Sequence, residues 1–376
     1  MKLKDIAKVQ GGFAFKSDSF ISGETPIIRI GNIVNNEVVI DNEITAPISI
    51  IGDRKEFLIK KNDILIAMSG ATVGKVGIYN FDYPSMLNQR VGNIKSDNKY
   101  QKYIYYLLQS PLFKKYVELS SSGCAQPNIS GTQIENFEFK ENTIEEINKI
   151  VSELDKVTSL INIRKKEIEK CNYLIKSQFV EMFENNNFDY IEIKDVIDNN
   201  VLKVKKKFTE NDNIKYIDIS SIDNLKNEVI GYTEYLLKDA PSRAQQCIQK
   251  NDILISTVRP NLKNIAVNNY DFDNCVGTSG FCVLRASKCN HQFLKYIVLS
   301  EKFTQDMVSL TTGANYPAIK DSDIKNYKII NPPIELQNKF AQIVEQIDKQ
   351  KFVNRNLFQL LGKKLKKCYN SIVDFR

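Results

Sequence analysis

Histidine is almost missing from this chain: one residue, His291, among 376. A histidine-rich metal centre or a Ser-His-Asp triad therefore has little to work with. Cysteine is no better placed for chemistry. The seven thiols are an odd number and form no CxxC pair. Reduced cysteines in a cytoplasmic protein are the expectation, not a disulfide framework. Cys275, Cys282, Cys289 and His291 make the one cluster with ligand chemistry, and their spacing fits no common zinc finger or ribbon. No apolar run is long enough to span a bilayer, and the opening "MKLKDIAKVQ" lacks the apolar stretch of a secretory signal.

A nucleotide cradle is missing too. "SGATVGK" at 69–75 has the glycines, threonine and lysine of a phosphate loop. A P-loop needs four residues between its glycines and a hydroxyl after its lysine. Here three residues separate Gly70 from Gly74, and Val76 follows Lys75. No dinucleotide glycine motif occurs, and no nuclease-like carboxylate pair falls on neighbouring strands. The enzyme classes that need these parts are disfavoured.

What is present begins with size. Length predicts two or three domains, and 42% hydrophobic residues can bury real cores. A net charge of +7 suits a polyanionic partner. The chain also repeats itself. "KNDILI" stands at 61–66 and again at 250–255, and other pairs share the 189- or 190-residue shift: "IIRIGNI" with "YIDISSI", "SSGCAQPNI" with "TTGANYPAI", "IEEINKIV" with "IELQNKFA". This is one duplicated unit, not a short-period solenoid.

Each half runs through short β-like stretches and a helix pair that restarts at Ser110 and Pro111. A Ser/Gly loop, a short strand near 134–139 and a long helix follow. The first long helix carries a narrow apolar stripe through Ile147, Ile150, Leu154, Val157, Ile161, Arg164, Ile168, Cys171, Ile175, Gln178 and Met182. The second carries Leu336, Phe340, Ile343, Ile347, Leu357, Leu361 and Cys368, with Gln350 and Asn354 between them. Such stripes predict mutual coiled-coil packing, and homologous halves predict a pseudo-two-fold axis that makes the helices antiparallel. Cys171 and Cys368 then lie too far apart to bond.

Together these pieces resemble the specificity subunit of type I restriction-modification systems. The carrying motifs are "NDILIAMSGATVGKVGIY" and "NDILISTVRPNLKNIAV", "GCAQPNIS" and "GANYPAIK", and "PPIELQNKFAQIVEQID". The resemblance implies an α+β fold: two homologous α/β target-recognition domains separated by two long antiparallel helices. The expected boundaries are 1–142 and 188–332 for the domains, and 143–187 and 333–376 for the helices. It also implies a non-catalytic reader of a bipartite double-stranded DNA site. Methyltransferase subunits would dock on the helices and carry the S-adenosylmethionine, so this chain itself would hold no cofactor. A restriction subunit is a possible further partner. The rival class is a coiled-coil scaffold that binds only protein.

Base edges are read by Arg, Asn and Gln, whereas Lys, Ser and backbone N–H groups mainly hold phosphates. The candidates for DNA contact in the first half are Arg29, Ser69, Thr72, Lys75, Arg90, Gln126 and Asn128. Those in the second are Lys205, Lys206, Lys207, Arg243, Arg259, Asn261, Lys263, Asn315, Tyr316 and Lys320. A rival reading makes Gln126 and Asn128, with Pro127, mere turn formers. "SGATVGK" becomes a strand-ending turn that faces DNA. Leu160, Leu174, Phe179, Phe183, Leu360 and Leu365 stand beside the helix seams and are expected to form the methyltransferase docking face.

Overall fold

The computed structural model describes residues 1–16, 25–41, 44–121, 126–313 and 317–373. The chain forms two compact units, Met1–Lys166 with Arg355–Arg376 and Glu167–Asn354. Both long helices are therefore divided between the units, where the sequence reading set them apart as elements of their own.

The repeated "KNDILI" shows why each unit folds as it does. Asn62 and Asn251 sit at φ +72° and +68°, the left-handed turn that asparagine tolerates. The following aspartates, Asp63 and Asp252, accept the backbone N–H of Lys60 (3.0 Å) and Gln249 (2.7 Å) and so close the turn. The strands Ile64–Ala67 and Ile253–Ser256 then start, buried at every position. Alternate side chains leave a strand on opposite faces. Ile64 and Ile66 enter a core with the helices, while Leu65 and Ala67 enter a second core beneath a smaller sheet. Ile253 and Ile255 divide from Leu254 in the same way. A continuous apolar run is what a strand covered on both faces requires.

The larger sheet of the first unit runs in the order Ala7–Gly11, Val91–Ser96, Ile64–Ala67, Val76–Ile78, Glu37–Val38, Ile33–Val34. That of the second runs Phe281–Leu284, Ile253–Ser256, Ile265–Val267, Glu228–Val229, Ile222–Asp223. The orders are identical except for the first edge strand, which survives in the second unit as a single bridge between Ile197 and Ala286. The smaller four-stranded sheets also match: Thr45–Ala46, Thr25–Ile28, Ser85–Leu87, Leu58–Ile59 against Thr233–Leu236, Asn213–Ile217, Cys275–Thr278, Ala244–Cys247. Both layers mix parallel with antiparallel pairing. The duplication read from short motifs is thus a duplication of topology.

The helix pair is Asn98–Leu107 and Pro111–Ser121, and the Ser110 hydroxyl accepts the Phe113 N–H at 3.2 Å. The strand expected near 134–139 is instead a short helix, Gly131–Glu135, capped by Ser130 and Gln133, followed by one bridge between Lys2 and Glu138. The cap explains the difference: Ser-x-x-Gln satisfies two helix-end donors reciprocally, which outweighs the β-like composition after it. The second unit does form a strand there, Lys328–Ile330, paired with Tyr190–Glu192.

The first long helix spans Ile144–Phe179 and continues into a wider π turn, Val180–Glu184; the second spans Ile334–Val373. In the first unit Ile147 and Leu154 share a core with Tyr369 and Ile372. In the second, Cys171, Ile175 and Phe179 share one with Phe340, Val344 and Ile347. Start meets end in both units, so the helices are antiparallel, and each end also packs on its own globular body. Cys171 and Cys368 belong to different units, and both thiols are free. The second stripe needs revision. Val344 is fully buried and Asn354 is 4% exposed, whereas Gln350 and Leu357 face outward.

The expected docking face is revised as well. Phe179 and Phe183 are 7% and 0% exposed, with Phe183 4.9 Å from Phe293 and 5.4 Å from Phe340 between ring centroids. They are core, not surface. Leu365 is half-buried against the first unit's core. Leu160, Leu174 and Leu360 do stand exposed, at 41%, 49% and 60%.

Candidate nucleic-acid interface

The strand Ile64–Ala67 ends in the turn Gly70–Thr72 and returns as Val76–Ile78. Four N–H groups of this loop are already spent. Gly70 donates to Pro127 O (2.9 Å), Val73 to Gly70 O (3.0 Å), Gly74 to Ala67 O (2.8 Å) and Lys75 to Thr72 O (3.0 Å). A loop with its donors turned inward cannot cradle a phosphate as a P-loop does.

The bond to Pro127 joins the two motifs singled out in the sequence. Ile129 N donates to Met68 O at 2.9 Å, and Ser69 bridges Asn128. The second unit repeats this: Arg259 N donates to Pro317 O (2.7 Å), Ile319 N to Thr257 O (2.9 Å), and Val258 bridges Ala318. Gly70 and Gly74 lie at φ +75° and +79°; their counterparts Arg259 and Lys263 hold +50° and +52°. The backbone path survives without glycine, at a cost of roughly 1–2 kcal/mol per residue forced left-handed.

Gly74 shows what the first copy requires. A Cβ there would lie 2.9 Å from Val117 Cγ1, whereas one at Gly52, also at positive φ (+57°), would meet nothing within 4 Å. Gly52→Ala, at φ +57° and ψ −137°, is expected to cost about 1–3 kcal/mol of backbone strain alone, because that conformation suits glycine. Gly74→Ala is expected to add about 1–3 kcal/mol of overpacking to its own backbone strain. Thermal unfolding of Gly74→Ala with and without Val117→Ala checks this, and an equal loss in both backgrounds would rule out the Val117 contact as a constraint.

The turn Gly70–Thr72 lies beside a second one, Ile30–Asn32, with the Gly70 Cβ position 3.4 Å from Ile30 Cδ1 and 3.6 Å from Gln126 Nε2. Arg29 and Arg90 line one open cleft of about 660 Å³ together with Asn32, Asp41, Asn88 and Gln89. Arg29 faces Asp41 at 3.8 Å. Ser69 Oγ and Thr72 Oγ1 are buried with no partner among the described residues. Gln126 and Asn128 are exposed. Six of the seven first-half candidates thus gather around two adjoining turns. Lys75 does not: it lines a separate cleft of about 490 Å³ with Asn35, Asn36 and Lys114. The sequence reading overlooked Asn88 and Gln89, although both directly precede Arg90 and carry base-reading amides.

In the second unit Lys205 and Lys206 are exposed on the turn Val204–Lys206, which Val204 anchors in a core. Lys207 donates to Asp273 O at 2.5 Å. Arg243 is exposed, and its carbonyl accepts Ser279 N at 2.8 Å. Arg259 and Asn261 are exposed around the turn Pro260–Leu262. Lys263 is committed elsewhere: its ammonium pairs with Glu301 at 2.5 Å and holds that carboxyl below the usual range. Lys320 is exposed at the start of helix Asp321–Lys325. Asn315 and Tyr316 lie outside the described residues. Cys275 and Cys282 face different cores, where burial raises both thiol pKa values. No helix among the described residues is long and apolar enough to cross a membrane.

Comparison with known proteins agrees with this geometry. The pattern of the type I restriction modification DNA specificity domain matches residues 1–172 and again 185–360. The chain is 25% identical to the type I restriction enzyme MjaIX specificity subunit of Methanocaldococcus jannaschii, covering 96% of this chain and 89% of that one. It is 24% identical to the MjaVIII specificity subunit of the same organism, covering 85% and 80%. The crystal structure of the type I restriction-modification S subunit from M. genitalium shares the fold, with a TM-score of 0.55 at 14% identity over 100% of this chain and 96% of that one. Two matches to one specificity domain, falling on the two halves of a duplicated chain, place this protein in the type I restriction-modification DNA specificity family, whose members recognise DNA sequence.

Proposed function

We propose that this chain is the non-catalytic specificity subunit of a type I complex, in which each unit reads one part of a split double-stranded DNA site. Methyltransferase subunits supply S-adenosylmethionine and adenine methylation, and a restriction subunit joins them for cleavage. Of the expected docking residues, Leu160, Leu174 and Leu360 stay exposed on the long helices, together with Ile163, Tyr173, Phe352, Val353 and Phe358. The observation that carries this reading is the paired-turn site, built twice with the same backbone hydrogen bonds and different side chains at its mouth. Two sites of one architecture and unlike surface chemistry are what a two-part reader needs.

Exchanging residues 1–142 for the matching segment of a relative, followed by methylation mapping, tests it. One half-site is expected to change and the other to stay. If both parts of the motif change together, the units do not read independently. A chain that binds no duplex DNA with its partners present would favour the scaffold.

A further inference from the structure

The two paired-turn sites differ at one equivalent position in a way that defines hydrogen-bond polarity. Arg29 precedes the turn Ile30–Asn32 with φ −113° and ψ 171°; Asp218 precedes Ile219–Ser221 with φ −104° and ψ 172°. Asn32 N donates to Arg29 O at 2.9 Å, and Ser221 N donates to Asp218 O at 3.0 Å. The neighbours of the two turns differ: Ile30 Cδ1 lies 3.4 Å from the Cβ position of Gly70, whereas Ile219 Cδ1 lies 3.2 Å from that of Gly280, between the strands Cys275–Thr278 and Phe281–Leu284. The backbone is the same at the two places; the side chain is a pure donor in one and an acceptor in the other.

We propose that Arg29 selects guanine in the first half-site, and that Asp218 makes the second unit choose a different base at its equivalent position. The assignment rests on the DNA-reading function proposed above. An arginine fork matches the O6 and N7 acceptors of guanine, whereas a carboxylate can only accept, as from the cytosine amine.

Arg29 is built for such a contact. Its backbone N–H donates to Asn32 Oδ1 at 2.9 Å, which fixes the base of the side chain. Its Nε is shut off from solvent with no partner among the described residues, while the side chain as a whole stays 43% exposed and lines the cleft. Among the described residues the carboxylate paired with it, on Asp41, is 3.8 Å away and itself 40% exposed, so the pairing is weak and exchangeable. A fork held at its root and left uncommitted at its end loses little freedom on binding. Arg90 lines the same cleft but is exposed, with no side-chain partner among the described residues. That suits a phosphate, which needs charge more than orientation.

The test is selection of sites from a random duplex library by the full chain assembled with methyltransferase subunits. The first half-site is the one that changes when residues 1–142 are exchanged. Arg29→Ala is expected to lose a guanine preference there by roughly five- to a hundred-fold and to leave the second half-site intact. Arg29→Gln is expected to move the same position toward adenine, a gain that a misfolded variant could not give. Arg90→Ala should weaken all sequences alike and flatten the log–log salt slope by about 0.9. A first half-site without guanine, an unchanged preference in both Arg29 variants, or a uniform loss of affinity in Arg29→Ala would overturn the assignment. A wild-type complex that selects no motif at all would instead overturn the function itself.

Discussion

Phe183→Ala is expected to destabilise the second unit by about 3–5 kcal/mol, enough to leave it largely unfolded at moderate urea. The ring is fully buried and meets Phe293 at 4.9 Å, Phe179 at 5.1 Å and Phe340 at 5.4 Å between centroids. These partners come from three different segments: a helix of the globular body and both long helices. Truncation would leave a cavity that no single element can move to fill, and aromatic pairs add edge-to-face attraction beyond area. The control is Leu174→Ala on the same helix, 49% exposed, expected to stay within about 0.5 kcal/mol. Urea unfolding followed by circular dichroism gives both numbers. A loss under 1 kcal/mol in Phe183→Ala would mean that the ring is not part of a closed core.

The same residue marks where the sequence could be read and where it could not. The apolar stripe from Ile147 to Ile175 is buried or half-buried at each apolar position, because the two-helix contact that the spacing describes is local to those helices. At Phe179 and Phe183 a heptad count leaves both rings outside the seam. The globular body packs on that end, so the buried arc is wider than a two-helix seam, and the π turn Val180–Glu184 shifts the phase. Long-range packing of this kind has no signature in local spacing. The loop motifs behaved differently. "GCAQPNIS" and "SGATVGK" could be paired as motifs because both recur, but the bond from Gly70 N to Pro127 O joins residues 57 apart and had to be seen. The second copy has "STVRPNLKN" in place of the glycine loop; Arg259 and Lys263 keep the left-handed backbone, so the loop keeps its path and differs in side chains. Asn88 and Gln89 were passed over because their neighbours in the cleft, Arg29 and Asn32, come from another part of the chain.

The duplication also permits an internal comparison of one buried aspartate in two settings. Asp252→Ala is expected to cost about 3–5 kcal/mol, and Asp63→Ala only about 1–3 kcal/mol. The two residues occupy the same turn of the repeated motif, and each faces a basic residue from the neighbouring strand region. Asp252 is 1% exposed and takes a two-pronged contact from Arg285, Nε to Oδ1 at 2.9 Å and a terminal nitrogen to Oδ2 at 2.8 Å. Arg285 is itself only 17% exposed, and the next carboxylate, on Asp198, is 4.0 Å away. Without Asp252 its charge is stranded in the interior, and a guanidinium cannot shed it. Asp63 is also buried, at 7% side-chain exposure, but its partner Lys95 is 42% exposed and touches it at 3.0 Å. Without Asp63 that lysine can extend into water on its flexible stem. The remaining loss is the acceptor for Asn93 Nδ2, at 2.8 Å, and for the Lys60 N–H. Two units need not unfold together, so a single midpoint would blur the comparison. Native-state amide hydrogen exchange resolves each unit separately: protection in the strand Ile253–Ser256 should fall further in Asp252→Ala than protection in Ile64–Ala67 falls in Asp63→Ala. Equal losses would show that the partner's escape to solvent does not set the cost, and that the turn hydrogen bond common to both aspartates does.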